Sequence, residues 1–253
     1  MVAIRGFKIK RLSCYDYSRW PNSHGRWGGI MSLSPKERDD VSEILLKIKA
    51  ISANIETPFV FVSGIHSPVY VDCRRIISFP QERKRIIELL EKIVREDIGL
   101  ENIDVVAGGA TAGIPYAAFL SQKIEKPMIY VRKEPKKHGK KRQTEGVLKK
   151  GDRVLLVEDL ITDGGSKTNF FNGIKNDGGV PKYCMVVFSY GRPVIVEKMK
   201  EWGVELFWLT DWNNTLELAK RKGYFSEDEY SEVSKFLKDP IAWDKKWVAG
   251  EKK

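Results

Sequence analysis

The apolar run at residues 154–157 (VLLV) is followed at once by two carboxylates, Glu158 and Asp159, and then by Leu160, Ile161, Thr162, Asp163, Gly164, Gly165 and Ser166. Four consecutive apolar residues read as a buried strand, and the Gly-Gly-Ser as the turn that opens the next helix. Paired glycines let a backbone approach an anion closely and take positive φ. The hydroxyls of Thr162, Ser166 and Thr168, with the free amides at the helix start, can then donate to its oxygens. Two adjacent carboxylates would repel a bare phosphate, but they suit the vicinal hydroxyls of a sugar phosphate, which need acceptors. The pattern therefore points to a ribose 5-phosphate, its diol on Glu158 and Asp159 and its phosphate on the turn at 162–166. Asp163 puts a further negative charge inside that turn and is expected to point outward. The residue order is neither GxxxxGK[ST] nor GxGxxG, which sets aside a nucleoside triphosphate loop and a dinucleotide fold. An isolated Asp-Gly-Gly is an ordinary turn; attachment to an apolar strand and two acids gives this one its chemistry.

The elements that must position this loop follow a regular rhythm. Ser34 can cap a helix with Pro35 in its first position, and Val41, Ile44, Leu45 and Ile48 supply an apolar stripe. FVFVSGIHSPVYVDCR (59–74) has two β-rich runs around a Ser-Gly turn and predicts a hairpin; Pro80 leads into an amphipathic helix. A strand at 104–107, the glycine-rich turn GGATAGIP, a helix through 117–122 and a strand at 127–131 come next. The VLLV strand is expected to end where EDLITDGGS begins as a loop, with a helix over 167–176 and strands at 183–188 and 206–209. Strands alternating with helices at this spacing predict an α/β fold, a mostly parallel sheet covered on both faces with right-handed crossovers. In such a sheet, ligands sit beyond the carboxyl ends of the strands, where the acid pair and glycine turn fall.

The composition narrows the ligand. The chain has 253 residues, 44 basic and 34 acidic, for a net charge of +10. That length suits one α/β domain with small appendages and leaves no room for a fused decarboxylase barrel, which alone takes about 250 residues. Residues 1–30 hold six basic and one acidic residue, and residues 132–150 hold nine basic and two acidic, so the remainder is slightly acidic. A nucleic-acid surface needs basic side chains spread along a face, whereas one leader and one loop suit a compact polyanion. No apolar stretch reaches the roughly 18 residues of a membrane span, and the basic, aromatic leader lacks a secretory apolar core. The leader is expected to be disordered or to precede the natural start at Met31; as a transit peptide it is weakly amphipathic and broken by Pro21. Three scattered cysteines and three histidines give neither a disulfide framework nor a zinc site, which fits a cytoplasmic protein.

VLLVEDLITDGGS resembles the phosphoribosyl diphosphate motif of the type I phosphoribosyltransferases. Within them, YVRKEPKKHGKKRQTEG (130–146) is similar to the mobile catalytic loop of orotate phosphoribosyltransferase, with Arg132, Lys133, Lys136 and His138-Gly139 at its hallmark positions. FVSGIHSPVYVDCR resembles that family's amino-terminal substrate segment, GGATAGIPYAA its pyrophosphate-side loop and LTDWNNTLELAKRKGY its carboxyl-terminal segment, over about residues 34–243. The resemblance implies a single domain at 31–253: a mostly parallel central sheet flanked by helices, with a small amino-terminal hood and a flexible catalytic loop. It implies transfer of ribose 5-phosphate from phosphoribosyl diphosphate to orotate, with Mg²⁺ as cofactor, giving orotidine 5′-phosphate and pyrophosphate in pyrimidine synthesis. Lys136, His138 and Asp159 become the candidate catalytic residues. Arg132 and Lys133 join the loop 158–166 on the diphosphate, and Tyr70, Val71 and Thr162 lie along the base. No protein side chain is assigned to a metal. The family's loop completes the neighbouring subunit's site, so a homodimer with shared sites is expected, with no nucleic acid or membrane partner.

Two departures from the family pattern remove cations: Val62 and Ala112 stand where many members carry lysine. Arg192 in SYGRP is the sequence's candidate for the orotate carboxylate, and His66, in a turn, reads as a surface residue without a role. A purine or uracil phosphoribosyltransferase shares the ribose-phosphate loop but not Lys136 and His138. A non-catalytic regulator that senses the diphosphate and binds nucleic acid would need a recognition helix or broad basic face, and neither is visible.

Overall fold

The computed structural model describes residues 32–61, 63–135 and 142–250, so the expected leader lies outside the described residues. Helix α1 (Pro35–Lys47) starts on a full capping box: Ser34 Oγ accepts from the Glu37 amide at 3.2 Å, and the Ser34 amide donates to Glu37 Oε2 at 2.8 Å. Strands β1 (Ile51–Ala53), β2 (Phe59–Val60), β3 (His66–Ser67) and β4 (Val69–Val71) then build a small hood. The expected hairpin is only half of it. β2 and β3 pair antiparallel, but β4 leaves that ribbon and pairs with β1, a strand the sequence pattern did not reveal. Three residues are too few for an alternation to declare itself.

After a 3₁₀ turn (Cys73–Ser78) and helix α2 (Pro80–Ile93) come β5 (Val105–Gly109), α3 (Gly113–Lys123), β6 (Met128–Val131), β7 (Thr144–Glu145), β8 (Arg153–Ile161) and α4 (Gly165–Asn176). The chain continues through β9 (Val180–Ser189), α5 (Pro193–Trp202), β10 (Glu205–Asp211), α6 (Trp212–Arg221), α7 (Glu227–Lys238) and α8 (Pro240–Val248). Among the described residues the main sheet has six strands in the order β10-β9-β8-β5-β6-β7, all parallel except β7. All five residues of β5 and residues 154–157 of β8 are buried, as strands covered on both faces require.

One correction decides where the site lies. Glu158 and Asp159 do not open a loop; β8 runs four residues past the apolar stretch. The reason is its neighbours. β9 accompanies it as far as Ser189, opposite Ile161, whereas β5 leaves after Gly108, opposite Val157. Backbone pairing on one side keeps the acids in the ladder, and the departure of β5 on the other side opens a cleft beside them. The next helix likewise begins two residues earlier than its pattern suggested, at Gly165.

Hydrogen bonds to α3 and α8 fasten the hood. Tyr116 Oη, buried in α3, donates to the Cys73 carbonyl at 2.6 Å. Asp244 in α8 accepts from the His66 amide at 2.9 Å, and the same oxygen lies 2.8 Å from His66 Nδ1. His66 is thus a half-buried tie between chain ends rather than an idle surface residue.

Candidate active site

The carboxyl ends of β5 and β8 bound a cleft of about 290 Å³. Two turns frame it. Residues 110–112 connect β5 to α3, and residues 162–164 connect β8 to α4. Tyr70, Val71, Asp72 and Arg74 of the hood close the third side, and Lys133 reaches in from beyond β6. Glu158, Asp159, Leu160, Ile161, Thr162 and Gly164 all line the cleft, so the structure brings together the core of the sequence-predicted site.

The second turn is built for an anion. Gly164 sits at φ 75°, a left-handed conformation that glycine takes without strain, and directs the chain into α4. Its outer flank is covered by α5: Lys198 Nζ donates to the Asp163 carbonyl at 2.8 Å, and Trp202 stacks obliquely 5.2 Å from Phe171. Asp163 is exposed as expected, but its carboxylate is not idle. Oδ1 accepts from the Gly165 amide at 3.0 Å, and this hydrogen bond holds the carboxyl below its ordinary range. A carboxylate of the protein therefore occupies one of the amides a phosphate would use. The side chain of Ser166 lies outside the described residues.

The adjacent acids live in different surroundings. Glu158 is buried, and Oε2 accepts from the ammonium of Lys167, itself only 4% exposed. Its Oε1 is enclosed between Gly109, Gly113 and the Phe170 ring and makes no hydrogen bond of normal geometry, although the nearby Gly113 amide favours the charged form. Burial outweighs these attractions and pushes the carboxyl up to about 7. Asp159 remains half-buried at the cleft, its Oδ1 accepting from the Leu160 amide at 2.8 Å; burial raises it as well, against the pull of Lys167. Asp159 is the acid with an oxygen to offer a ligand, and Glu158 is committed to the wall.

In the hood, Tyr70 is partly exposed and Val71 is buried, and both line the cleft. Arg74, which the motif reading passed over, donates through Nε to Asp72 Oδ1 at 2.6 Å, and its Nη2 stands 3.5 Å from Tyr70 Oη. Arg74 sits in the 3₁₀ turn that follows β4, a place no alternation in the sequence marks. Lys167 did carry a signal: a cation in the first turn of a helix opposes the dipole and calls for a carboxylate. Arg192 does not line the cleft. Nor does Arg132, whose guanidinium lies 3.6 Å from Glu145 while its amide donates to the Gln143 carbonyl at 2.9 Å. Val62, Lys136 and His138 lie outside the described residues. No helix among the described residues is long and apolar enough to cross a membrane, and none of their His, Cys, Asp and Glu side chains cluster in threes fit to hold a metal.

Comparison with known proteins agrees with this geometry. The family model "Phosphoribosyl transferase domain" matches residues 75–190, from the hood's last turn to just past β9. An orotate phosphoribosyltransferase of Jannaschia sp. (strain CCS1) is 45% identical over 203 residues, 80% of this chain and 89% of the relative. One from Sinorhizobium fredii is 42% identical over 207 residues, covering 81% and 89%. The crystal structure of orotate phosphoribosyltransferase from Aeropyrum pernix superposes with a TM-score of 0.62 at 30% identity, covering 74% of this chain and 99% of that one. Similarity at this level over nearly the full length of its relatives, with the acid pair and both turns at the carboxyl ends of adjacent central strands, means that the chain belongs to the orotate phosphoribosyltransferase family.

Proposed function

We propose that the chain transfers ribose 5-phosphate from phosphoribosyl diphosphate to orotate, giving orotidine 5′-phosphate and pyrophosphate, in the cytoplasmic synthesis of pyrimidines. The observation that carries this reading is the pair of turns at the ends of β5 and β8 with Asp159 between them: one turn for each end of a ligand with phosphate at both ends.

In this reading, residues 162–166 hold the 5′-phosphate through backbone amides and the Thr162 hydroxyl, with Leu160 and Ile161 forming the strand edge below. Asp159 accepts from the ribose diol and lies where positive character appears as the C1–oxygen bond breaks. Residues 110–112 receive the pyrophosphate, and Lys133, with Lys136 and His138 of the following loop, meets its growing negative charge. The chemistry needs no covalent nucleophile, because orotate itself attacks. Tyr70 and Val71 face the base. Arg74, held by Asp72 beside Tyr70, takes the orotate carboxylate in place of Arg192. Mg²⁺, the cofactor the family resemblance implies, would offset the charge of the diphosphate and would need few donors from this chain. The family resemblance supports a homodimer in which Lys136 and His138 act in the partner's cleft.

Loss of orotate absorbance in the presence of phosphoribosyl diphosphate and Mg²⁺ tests this reading. Turnover with orotate and not with adenine, hypoxanthine or uracil is the expected result. Turnover with a purine alone would overturn the specificity, and no turnover with any base would overturn the enzyme.

A further inference from the structure

The Lys167–Glu158 pair lies where the two ligand turns meet. Lys167 belongs to the first turn of α4, directly after the phosphate turn, and its ammonium reaches back to Glu158 on β8. The other oxygen of Glu158 is packed against Gly109 and Gly113, the residues on either side of the turn at 110–112. A Cβ on either glycine would collide with that carboxylate, so both positions are shaped around it. Both charged side chains are nearly inaccessible, at 5% and 7% exposure. A buried ion pair is a costly way to gain stability, because each charge gives up its water, and it is better suited to fixing one arrangement of the elements it joins. Here it joins the start of α4 to the start of α3.

We propose that Lys167 is a positioning residue: through Glu158 it fixes the separation of the two anion-binding turns, and so tunes the cleft to a ligand that must engage both at once. This rests on reading the cleft as the phosphoribosyl diphosphate site. A two-ended ligand gains from linkage only when the spacing of its sites matches its own length, whereas a one-ended ligand is indifferent to that spacing.

The test compares three ligands by titration calorimetry with Mg²⁺ present: phosphoribosyl diphosphate, ribose 5-phosphate and pyrophosphate. The proteins are the wild-type chain, Lys167→Met, and Lys167→Met combined with Glu158→Gln. The double variant removes both charges together, so it carries the test even if the single variant, with its stranded carboxylate, fails to fold. The expected result is a loss of affinity for phosphoribosyl diphosphate of at least tenfold, exceeding the loss for either one-ended ligand by fivefold or more. A smaller difference overturns the inference, whether all three ligands weaken alike, as they would if the lysine contacted phosphate or merely held up the fold, or none changes. If the wild-type chain binds phosphoribosyl diphosphate and the variants fail this criterion, only the spacing role falls. If the wild-type chain does not bind it, the functional reading falls as well.

Discussion

The turn at residues 110–112 and the turn at residues 162–164 occupy equivalent places, each ending a central parallel strand and opening a helix, yet they are made differently. The first is a run of small side chains, Ala-Thr-Ala, flanked by glycines that are glycine because a neighbour fills the space of a side chain. The second keeps its left-handed glycine at the cleft and surrounds it with Thr162, Asp163 and Lys198 of α5. Both offer backbone amides, as any strand-to-helix turn can. What separates them is their charged surroundings: the second has Asp163 within it and Lys198 beside it, while the first has no charged residue of its own and shares the cleft with Lys133.

The sharpest test lies between the turns. Asp159→Asn should reduce kcat by a hundredfold or more, about 3 kcal/mol of transition-state stabilisation, while the melting temperature changes little; steady-state kinetics beside a thermal melt would show it. Loss of soluble protein instead would make the acid structural. The two turns should also differ in tolerance. Gly113→Ala places a Cβ against the Val157 carbonyl and the Glu158 carboxylate, and should destabilise by about 1–3 kcal/mol in urea unfolding. Gly165→Ala meets only Asp163 Oδ1 at 3.4 Å and should cost no more than about 0.5 kcal/mol.

A gentler probe uses pH. Glu158 is raised to about 7 in the folded chain by burial, against an ordinary value near 4.5, so between those limits the folded state holds a proton that the unfolded state has released. Its contribution to stability is complete below about 4.5 and is lost as pH rises through 7. Melting temperatures of the wild-type chain should therefore fall across that window more steeply than those of Glu158→Gln. The smallest effect concerns the second turn alone. Asp163→Asn removes a carboxylate that competes for the Gly165 amide and should tighten ribose 5-phosphate by about threefold, near 0.7 kcal/mol, in the same calorimetric assay.

The parts of this molecule that could be read from its residues are those fixed by near neighbours in the chain. Ser34 and Glu37 form the cap that their spacing announces, and 154–157 is the buried strand its composition demands. The Gly-Gly-Ser turn opens a helix as expected. The continuation of β8 through Glu158 and Asp159 was hidden, because acids have poor strand propensity and only the pairing with β9 holds them extended. Ser226 and Glu229 repeat the capping box of α1 and could have revealed α7, whereas β1 pairing with β4 depends on contacts no local pattern encodes. The site divides along the same line: the acids and the turn were legible, but the division of labour between Glu158 and Asp159 required knowing which one meets Lys167.

The bond between His66 and Asp244 spans 178 residues. The side of the cleft formed by Tyr70 and Val71 is thus tied to a helix distant in the chain, so a change in α8 can reshape it without touching the cleft.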